Sequence, residues 1–312
     1  MDDPIYSIVV PLYNEEEVIN EAYRRLTAVM ERAGGAYELV LVDDGSRDET
    51  KALARAICEA DRRVRLLSFS RNFGHQTAIT AGMERARGQA VVVIDADLQD
   101  PPEVILQMIE KWKEGFGVVY GQRTLRKGES AFKKLTASVF YRFLRRMTEV
   151  DVPVDAGDFR LLDRKVLRAL LSLPERNRYV RGLVSWVGFK QIGVPYAREE
   201  RFAGVTKYPL KKMLRFAGDA IVSFSAKPLK WPRVLGVLTA MGGAGYLVAL
   251  LVRALSVGLE QGETKLMLGI LLFVLGVFMT MLGFVSSYIA RIYDEARGRP
   301  LYIIEEDIKS WD

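Results

Sequence analysis

The sequence predicts an α/β domain with a largely parallel sheet, followed by an interfacial amphipathic helix and two C-terminal transmembrane helices. Three observations predict it. Near-continuous apolar runs alternate with helical patterns through the first hundred residues. Each of those runs ends in acidic or amide side chains. Two stretches near the C-terminus, 234–252 and 266–290, carry no charged residue at all.

The elements follow in order. YSIVVPLYN reads as a first strand, and residues 15–33 as an amphipathic helix with Val18, Ala22, Leu26 and Val29 at helical spacing. YELVLVDDGS is a second apolar run, and SRDETKALARAICEAD a second helix with Ser46 or Asp48 as its cap. VRLLSFSRN, HQTAITAGMERA and AVVVIDAD continue as strand, helix and strand. In a sheet of this kind, ligands bind outside the C-terminal strand ends. Asn14 and Glu15, Asp43 and Asp44, Asn72 and His75, and Asp95 and Asp97 all fall there. Contact with solvent accounts for one or two polar ends, and less well for four in succession. Neither GxGxxG nor GxxxxGK[ST] occurs, which argues against a dinucleotide fold and a P-loop.

The C-terminal stretches read differently. At about 1.5 Å per residue the first is about 28 Å long, close to the roughly 30 Å hydrocarbon core, and the second is long enough to span with tilt. Lys227, Lys230 and Arg233 precede the first; Arg291, Arg297 and Arg299 follow the second. That asymmetry predicts two spans in the cytoplasmic membrane, with the catalytic domain and C-terminus cytoplasmic. Gly269, Gly276 and Gly283, and Gly236, Ala240 and Ala244, form small-residue rows for packing within the chain or for homo-oligomers. The expected boundaries are 1–205 for the catalytic domain, 206–231 for the interfacial segment, 232–290 for the membrane pair and 291–312 for a C-terminal tail.

Net charge is +6, but the cations cluster: eight Lys or Arg against Glu129 in 123–146, and seven against Asp219 in 206–233. Beside apolar spans such clusters meet lipid headgroups or phosphates, and no RNA-binding aromatic motif accompanies them, so no nucleic-acid partner is expected. The single Cys58 excludes an intrachain disulfide and a Cys-rich zinc site.

The motif richest in chemistry is DADLQDPPE, 95–103. A D-x-D at a strand end suits a hard cation, Mg²⁺ or Mn²⁺, bound by one or two carboxylates, water and phosphate oxygens. Taken with IVVPLYNEE, VDDGSRDET, SRNFGHQTAITAG and VDAGDFRLLDR, it resembles the family 2 glycosyltransferases of GT-A fold. Within them it is most similar to the polyprenyl-phosphate glycosyltransferases of the bactoprenol glucosyltransferase type, over nearly the whole chain.

The resemblance implies transfer of a hexose, glucose foremost, from a UDP-sugar to polyprenyl (undecaprenyl) phosphate, with inversion. It implies that Pro11, Tyr13, Asn14 and Glu15 line the nucleotide pocket. Asp43 would read the uracil edge, with Asp44 and Ser46 nearby. Asp95, beside Ala96, would face ribose or metal, and Asp97 would be the principal metal ligand. Gln99 and Asp100 would shape the donor site. VDAGDFRLLDR supplies a carboxylate proposed as a base, Asp158 first and Asp155 second. A phosphate acceptor is already mostly ionised near neutral pH, so orientation of acceptor or sugar is the other role open to Asp158.

An anionic acceptor needs cations of its own. Arg123, Arg126 and Lys127 follow the strand GVVYGQR; Arg198, Arg201 and Lys207 stand in a segment resembling the family's R-x-x-R-x-x-G-x-T-K-Y. The next stretch, PLKKMLRFAGDAIVSFS, is amphipathic and reads as a helix lying on the membrane. Other donor sugars, including mannose, galactose, hexosamine and an aminoarabinose derivative, stay open, as does a non-catalytic sugar-sensing scaffold. A processive polysaccharide synthase is disfavoured by the missing Q-x-x-R-W motif.

Overall fold

The computed structural model describes residues 3–124, 156–176, 178–198 and 262–309, with a few positions between 241 and 252. The chain divides into two compact units, residues 1–146 with 150–214 and 299–312, and residues 147–149 with 215–298.

The first unit is built on one eight-stranded sheet in the order β7-β5-β6-β4-β1-β2-β3-β8. Strands β1 (Tyr6–Leu12), β2 (Tyr37–Asp43), β3 (Val64–Phe69) and β4 (Ala90–Val93) run parallel. All their residues are buried, which is why these strands read as unbroken apolar runs rather than alternating ones. Helices α1 (Ile19–Ala33), α2 (Thr50–Ala60), α3 (His75–Arg85) and α4 (Val104–Lys113) connect or follow them, each with its apolar stripe inward. Parallel strands need such crossovers, and the crossovers bring all four strand ends to one edge.

Past β4 the pattern changes. Strand β5 (Val118–Arg123) lies parallel to β7 (Gln191–Tyr196), while β6 (Ala156–Asp163) inserts antiparallel between β4 and β5. The reversal brings the start of β6, with Asp158, to the edge where β4 and β5 end. Helices α5 (Arg164–Leu171) and α6 (Val180–Trp186) follow β6. Asp163 caps α5 by accepting from Lys165 N at 2.8 Å.

Strand β8 (Ile304–Lys309) lies within the stretch read as a C-terminal tail, yet it pairs antiparallel with β3. Arg65 donates to Asp307 through Nε and Nη2 at 2.8 and 2.7 Å, and Tyr302 stacks on Phe69 at 5.0 Å. The sequence IEEDIK alternates but is charged and short, so its pairing is fixed by side chains on β3 and α2 that periodicity does not reveal.

The described part of the second unit contains α7 (Gly262–Ala296), a helix of 35 residues that includes the second uncharged stretch. Leu271, Phe278, Met279 and Ile292 on it are exposed. Several other side chains between 262 and 280 lie outside the described residues. Among the described residues no helix is long and apolar enough to cross a membrane, so the expectation of two spans is not carried by the structure. The stretch 234–252 and the amphipathic segment 206–231 fall almost wholly outside the described residues.

Candidate active site

The C-terminal edge of the parallel strands divides into two carboxylate-bearing halves. In the first, Asp43 ends β2, fully buried; its Oδ2 accepts from Ser68 Oγ at 2.9 Å and its Oδ1 from Ser46 N at 3.1 Å. Asp44 accepts from Phe73 N at 2.7 Å and from Gly74 N at 3.0 Å, ahead of α3. Burial raises the Asp44 pKa, and those two amides offset part of the rise. Gly45, with φ +67°, sits where a Cβ would lie 2.4 Å from the Arg71 carbonyl carbon, so the DDGS turn closes onto the loop after β3.

The loop after β1 is tied to the same turn. Asn14 N donates to Ser46 Oγ at 3.0 Å, Arg47 N to Asn14 Oδ1 at 2.9 Å, and Glu15 N to Thr50 Oγ1 at 2.8 Å. Asn14 holds φ at 53°, and Leu98 in the DADLQD turn holds 57°. Non-glycine residues adopt that region at a cost, and both positions border the strand edge. Pro11 is buried within β1, and Tyr13 stands half-buried just beyond it. A cavity of about 290 Å³ opens among Asp43, Ser46, Phe69, Arg71 and Asn72, with Lys51 and Glu305 on its wall.

In the second half, Asp95 and Asp97 follow β4, with Ala96 buried between them. Asp97 Oδ1 accepts from Gln99 N at 3.1 Å, which shapes the turn. Asp95 Oδ1 is buried without a hydrogen-bond partner; His75 Nε2 stands 3.4 Å away. Burial pushes the Asp95 pKa up to about 6, His75 opposing and Asp158, Asp100 and Asp97 reinforcing the rise. His75 Nε2 is also 3.4 Å from Asp158 Oδ2, and these two carboxylates raise its pKa against the effect of burial.

Asp158 is almost fully buried and is gripped by Arg181, whose Nε and Nη2 donate at 2.9 and 2.8 Å. Gln76 Nε2 adds a contact at 3.3 Å. Burial would raise the Asp158 pKa, but Arg181 and His75 outweigh it and hold the carboxyl well below the usual range. Such a carboxylate is a weak proton acceptor. Its guanidinium partner comes from α6; the neighbouring Arg160 instead donates to Gly157 O at 2.7 Å. Asp155 lies outside the described residues.

Asp100, also buried, gathers the cations. It accepts from Tyr196 Oη and from Arg123 Nη2 at 3.3 Å, and Arg198 Nε stands 3.7 Å from it. Arg123 Nε donates to Tyr196 Oη at 3.2 Å. A Cβ on Gly157 would meet Arg123 Nη2 at 2.7 Å, so glycine there lets the guanidinium lie against β6. Arg123 and Arg198, predicted from segments 75 residues apart, thus meet on one carboxylate. Arg126, Lys127, Arg201 and Lys207 lie outside the described residues.

Among the described residues no three His, Cys, Asp or Glu side chains form a ready-made metal cage. The residues present nonetheless fit a hard divalent cation. Such an ion takes one or two carboxylates and completes its shell with water and phosphate, and Asp95, whose Oδ1 accepts no hydrogen bond, stands with Asp158, Asp100 and Asp97, which add to the effect of burial on its pKa.

Sequence reasoning passed over Gln76, Arg181 and Tyr196, and noted His75 only as a strand-end residue. No short-range pattern marks Arg181 or Tyr196; each acquires its role through a partner on a distant element.

The mostly parallel sheet with acidic ends on its central strands is the GT-A fold of glycosyltransferases. The glycosyl transferase family 2 model matches residues 7–171, and the chain belongs to that family. It is 56% identical over 304 residues to the glycosyltransferase YkcC of Bacillus subtilis (strain 168), covering 96% of this chain and 93% of that one. It is 38% identical over 302 residues to the bactoprenol glucosyl transferase of Shigella phage SfV, covering 96% and 98%. A glucosyl-3-phosphoglycerate synthase from Mycobacterium tuberculosis aligns with a TM-score of 0.47 and 22% identity over 70% of this chain and 78% of that one, a likeness too slight to carry an argument.

Proposed function

We propose that this glycosyltransferase moves a hexose, glucose foremost, from a UDP-sugar to a polyprenyl phosphate such as undecaprenyl phosphate. The name of the phage relative supports both the sugar and the lipid carrier. The observation that carries the reading is the acidic D-x-D of Asp95 and Asp97 on the same sheet edge as Arg123 and Arg198, which gather on Asp100. The acidic pair suits a metal-bound diphosphate, and the guanidinium pair suits an anionic acceptor.

Asp97 and Asp95 would hold Mg²⁺ or Mn²⁺, which when bound offsets charge on the departing diphosphate. Pro11, Tyr13, Asn14, Glu15, Asp43, Asp44 and Ser46 form the nucleotide side, directly or through the turn they build. Gln99 and Asp100 shape the floor between donor and acceptor. Arg123 and Arg198 steer the acceptor phosphate, joined by Arg126, Lys127, Arg201 and Lys207 from the basic segments. The phosphate oxygen attacks the anomeric carbon from the face opposite the leaving UDP, which inverts that centre. The acceptor is already ionised, so no side chain need take its proton. Asp158, held ionised by Arg181, orients the site rather than acting as base, and Asp155 is the other carboxylate of that segment.

A lipid acceptor requires the chain to work at a membrane. The uncharged stretches 234–252 and 266–290 of the sequence are the basis for two spans in the cytoplasmic membrane. The flanking Lys and Arg residues support a cytoplasmic catalytic unit. The small-residue rows are the surfaces such helices would use against each other or a second copy.

The test is a panel of UDP-sugars with undecaprenyl phosphate and Mn²⁺, read by mass spectrometry of the extracted lipid. UDP-glucose should give a lipid heavier by one hexose. A panel in which no donor modifies the lipid would contradict the proposal.

A further inference from the structure

The wall of the 290 Å³ cavity holds a feature that the nucleotide reading does not require. Asp43, Ser46 and Asn72 belong to the parallel-strand edge, but Glu305 comes from β8, the strand that follows α7 in the chain. Its Oε2 accepts from Lys51 Nζ at 3.0 Å, and Lys51, in the first turn of α2, also lines the cavity. Glu306, the next residue, turns to the other side of this cluster, with Lys51 at 3.3 Å and Arg55 as its partners. Glu305 is thus held at the cavity by Lys51, and it sits at the register shift between the Phe69–Ile304 and Ser68–Glu306 pairs of the β3–β8 ladder.

That ladder is firmly built. Ser70 N donates to Ile303 O at 3.1 Å, directly where the cavity meets the end of β3. The bidentate Arg65–Asp307 pair and the Tyr302–Phe69 stack hold the strand on both sides of Glu305. A carboxylate and an ammonium side by side offer both an acceptor and donors. Ribose hydroxyls and a uracil edge, which each need both, are matched by that arrangement.

We propose that the Lys51–Glu305 pair is the outer wall of the nucleoside pocket, and that β8 is the element that positions it. The inference rests on the UDP-sugar reading and deepens it. It makes donor affinity depend on a C-terminal strand beyond the segment matched by the family model, which ends at residue 171.

The experiment uses the full chain in detergent micelles, with UDP binding followed by calorimetry in Mn²⁺ and donor KM and kcat measured separately. Glu305→Ala and Lys51→Ala should each weaken UDP binding by about fivefold or more and raise donor KM, with kcat within about twofold. Arg55→Ala is the control: it removes a cation that ties β8 to α2 through Glu306, while Lys51 and Glu305 keep each other, and UDP affinity should stay at the wild-type value. Equal UDP affinity in wild type and Glu305→Ala overturns this inference while leaving the donor reading intact. An equal loss in Arg55→Ala also overturns it, because the effect then belongs to strand docking alone. A wild-type chain that fails to bind UDP overturns both.

Discussion

The strand edge carries two aspartate pairs of similar sequence and opposite state. Asp43 and Asp44 are occupied by the protein itself: Ser68, Ser46, Phe73 and Gly74 supply their hydrogen bonds. Asp95 keeps a buried oxygen with no hydrogen-bond donor, and its pKa rises to about 6. The first pair builds a turn and sets a loop, so its chemistry is internal. In the second, the Asp95 oxygen faces His75 at 3.4 Å and stands near Asp158, Asp100 and Asp97, a gathering of carboxylates that suits a cation. An acidic strand end therefore says where a ligand can bind, while the hydrogen-bond inventory says which carboxylate is left to bind it.

The sharpest way to break that comparison is to neutralise the second pair. Asp97→Asn should lower kcat on the order of a thousandfold, by removing a ligand from the cation that stabilises the leaving diphosphate. Its thermal unfolding should stay close to wild type, because Asp97 lies half-buried in a turn. A large drop in Tm would assign Asp97 to structure, like Asp43.

Next is the pair that supports this half from beneath. Arg181→Ala leaves Asp158 buried without its bidentate partner and should cost about 3 kcal/mol in denaturant unfolding. The pH dependence has a definite sign. The folded Asp158 carboxyl lies below its unfolded value of about 3.9, so it contributes stability above that pH and loses it as pH falls through the lower folded value. Arg181→Ala should therefore shift acid unfolding to higher pH.

A third measurement compares protons with metal. A carboxyl pushed up to about 6 binds protons in competition with a cation, so Mn²⁺ affinity should fall as pH drops from 7 to 5, by up to about tenfold per unit below 6. Competition at an ordinary carboxylate would begin only near pH 4. Calorimetric Mn²⁺ titrations at three pH values distinguish the two. The smallest effect belongs to the first pair: Ser68→Ala removes one donor from buried Asp43 and should cost about 1 kcal/mol in thermal unfolding. Metal affinity should be unchanged in that variant.

Much of this was legible in the sequence because the underlying signals are local. Strands buried on both faces read as unbroken apolar runs, and β1 to β4 occur where those runs lie. DDGS announces a turn at the end of β2, and its Asp43 and Ser46 close one. The grip of Arg181 on Asp158 was not legible. It depends on β6 running antiparallel and on α6 folding back over it, a relation between residues 23 apart. Arg160, only two residues from Asp158, donates to Gly157 O instead. Strand β8 was missed because its charged, alternating sequence resembles a solvated tail until Arg65, Lys51 and Arg55 are placed opposite it.

The most direct test of the division between the two pairs is Mn²⁺ binding in the presence of UDP, measured by electron paramagnetic resonance on the wild type and Asp97→Asn. The account predicts one saturable Mn²⁺ per wild-type chain and its loss in Asp97→Asn, with the folded state intact. Wild-type Mn²⁺ binding retained by Asp97→Asn would contradict it.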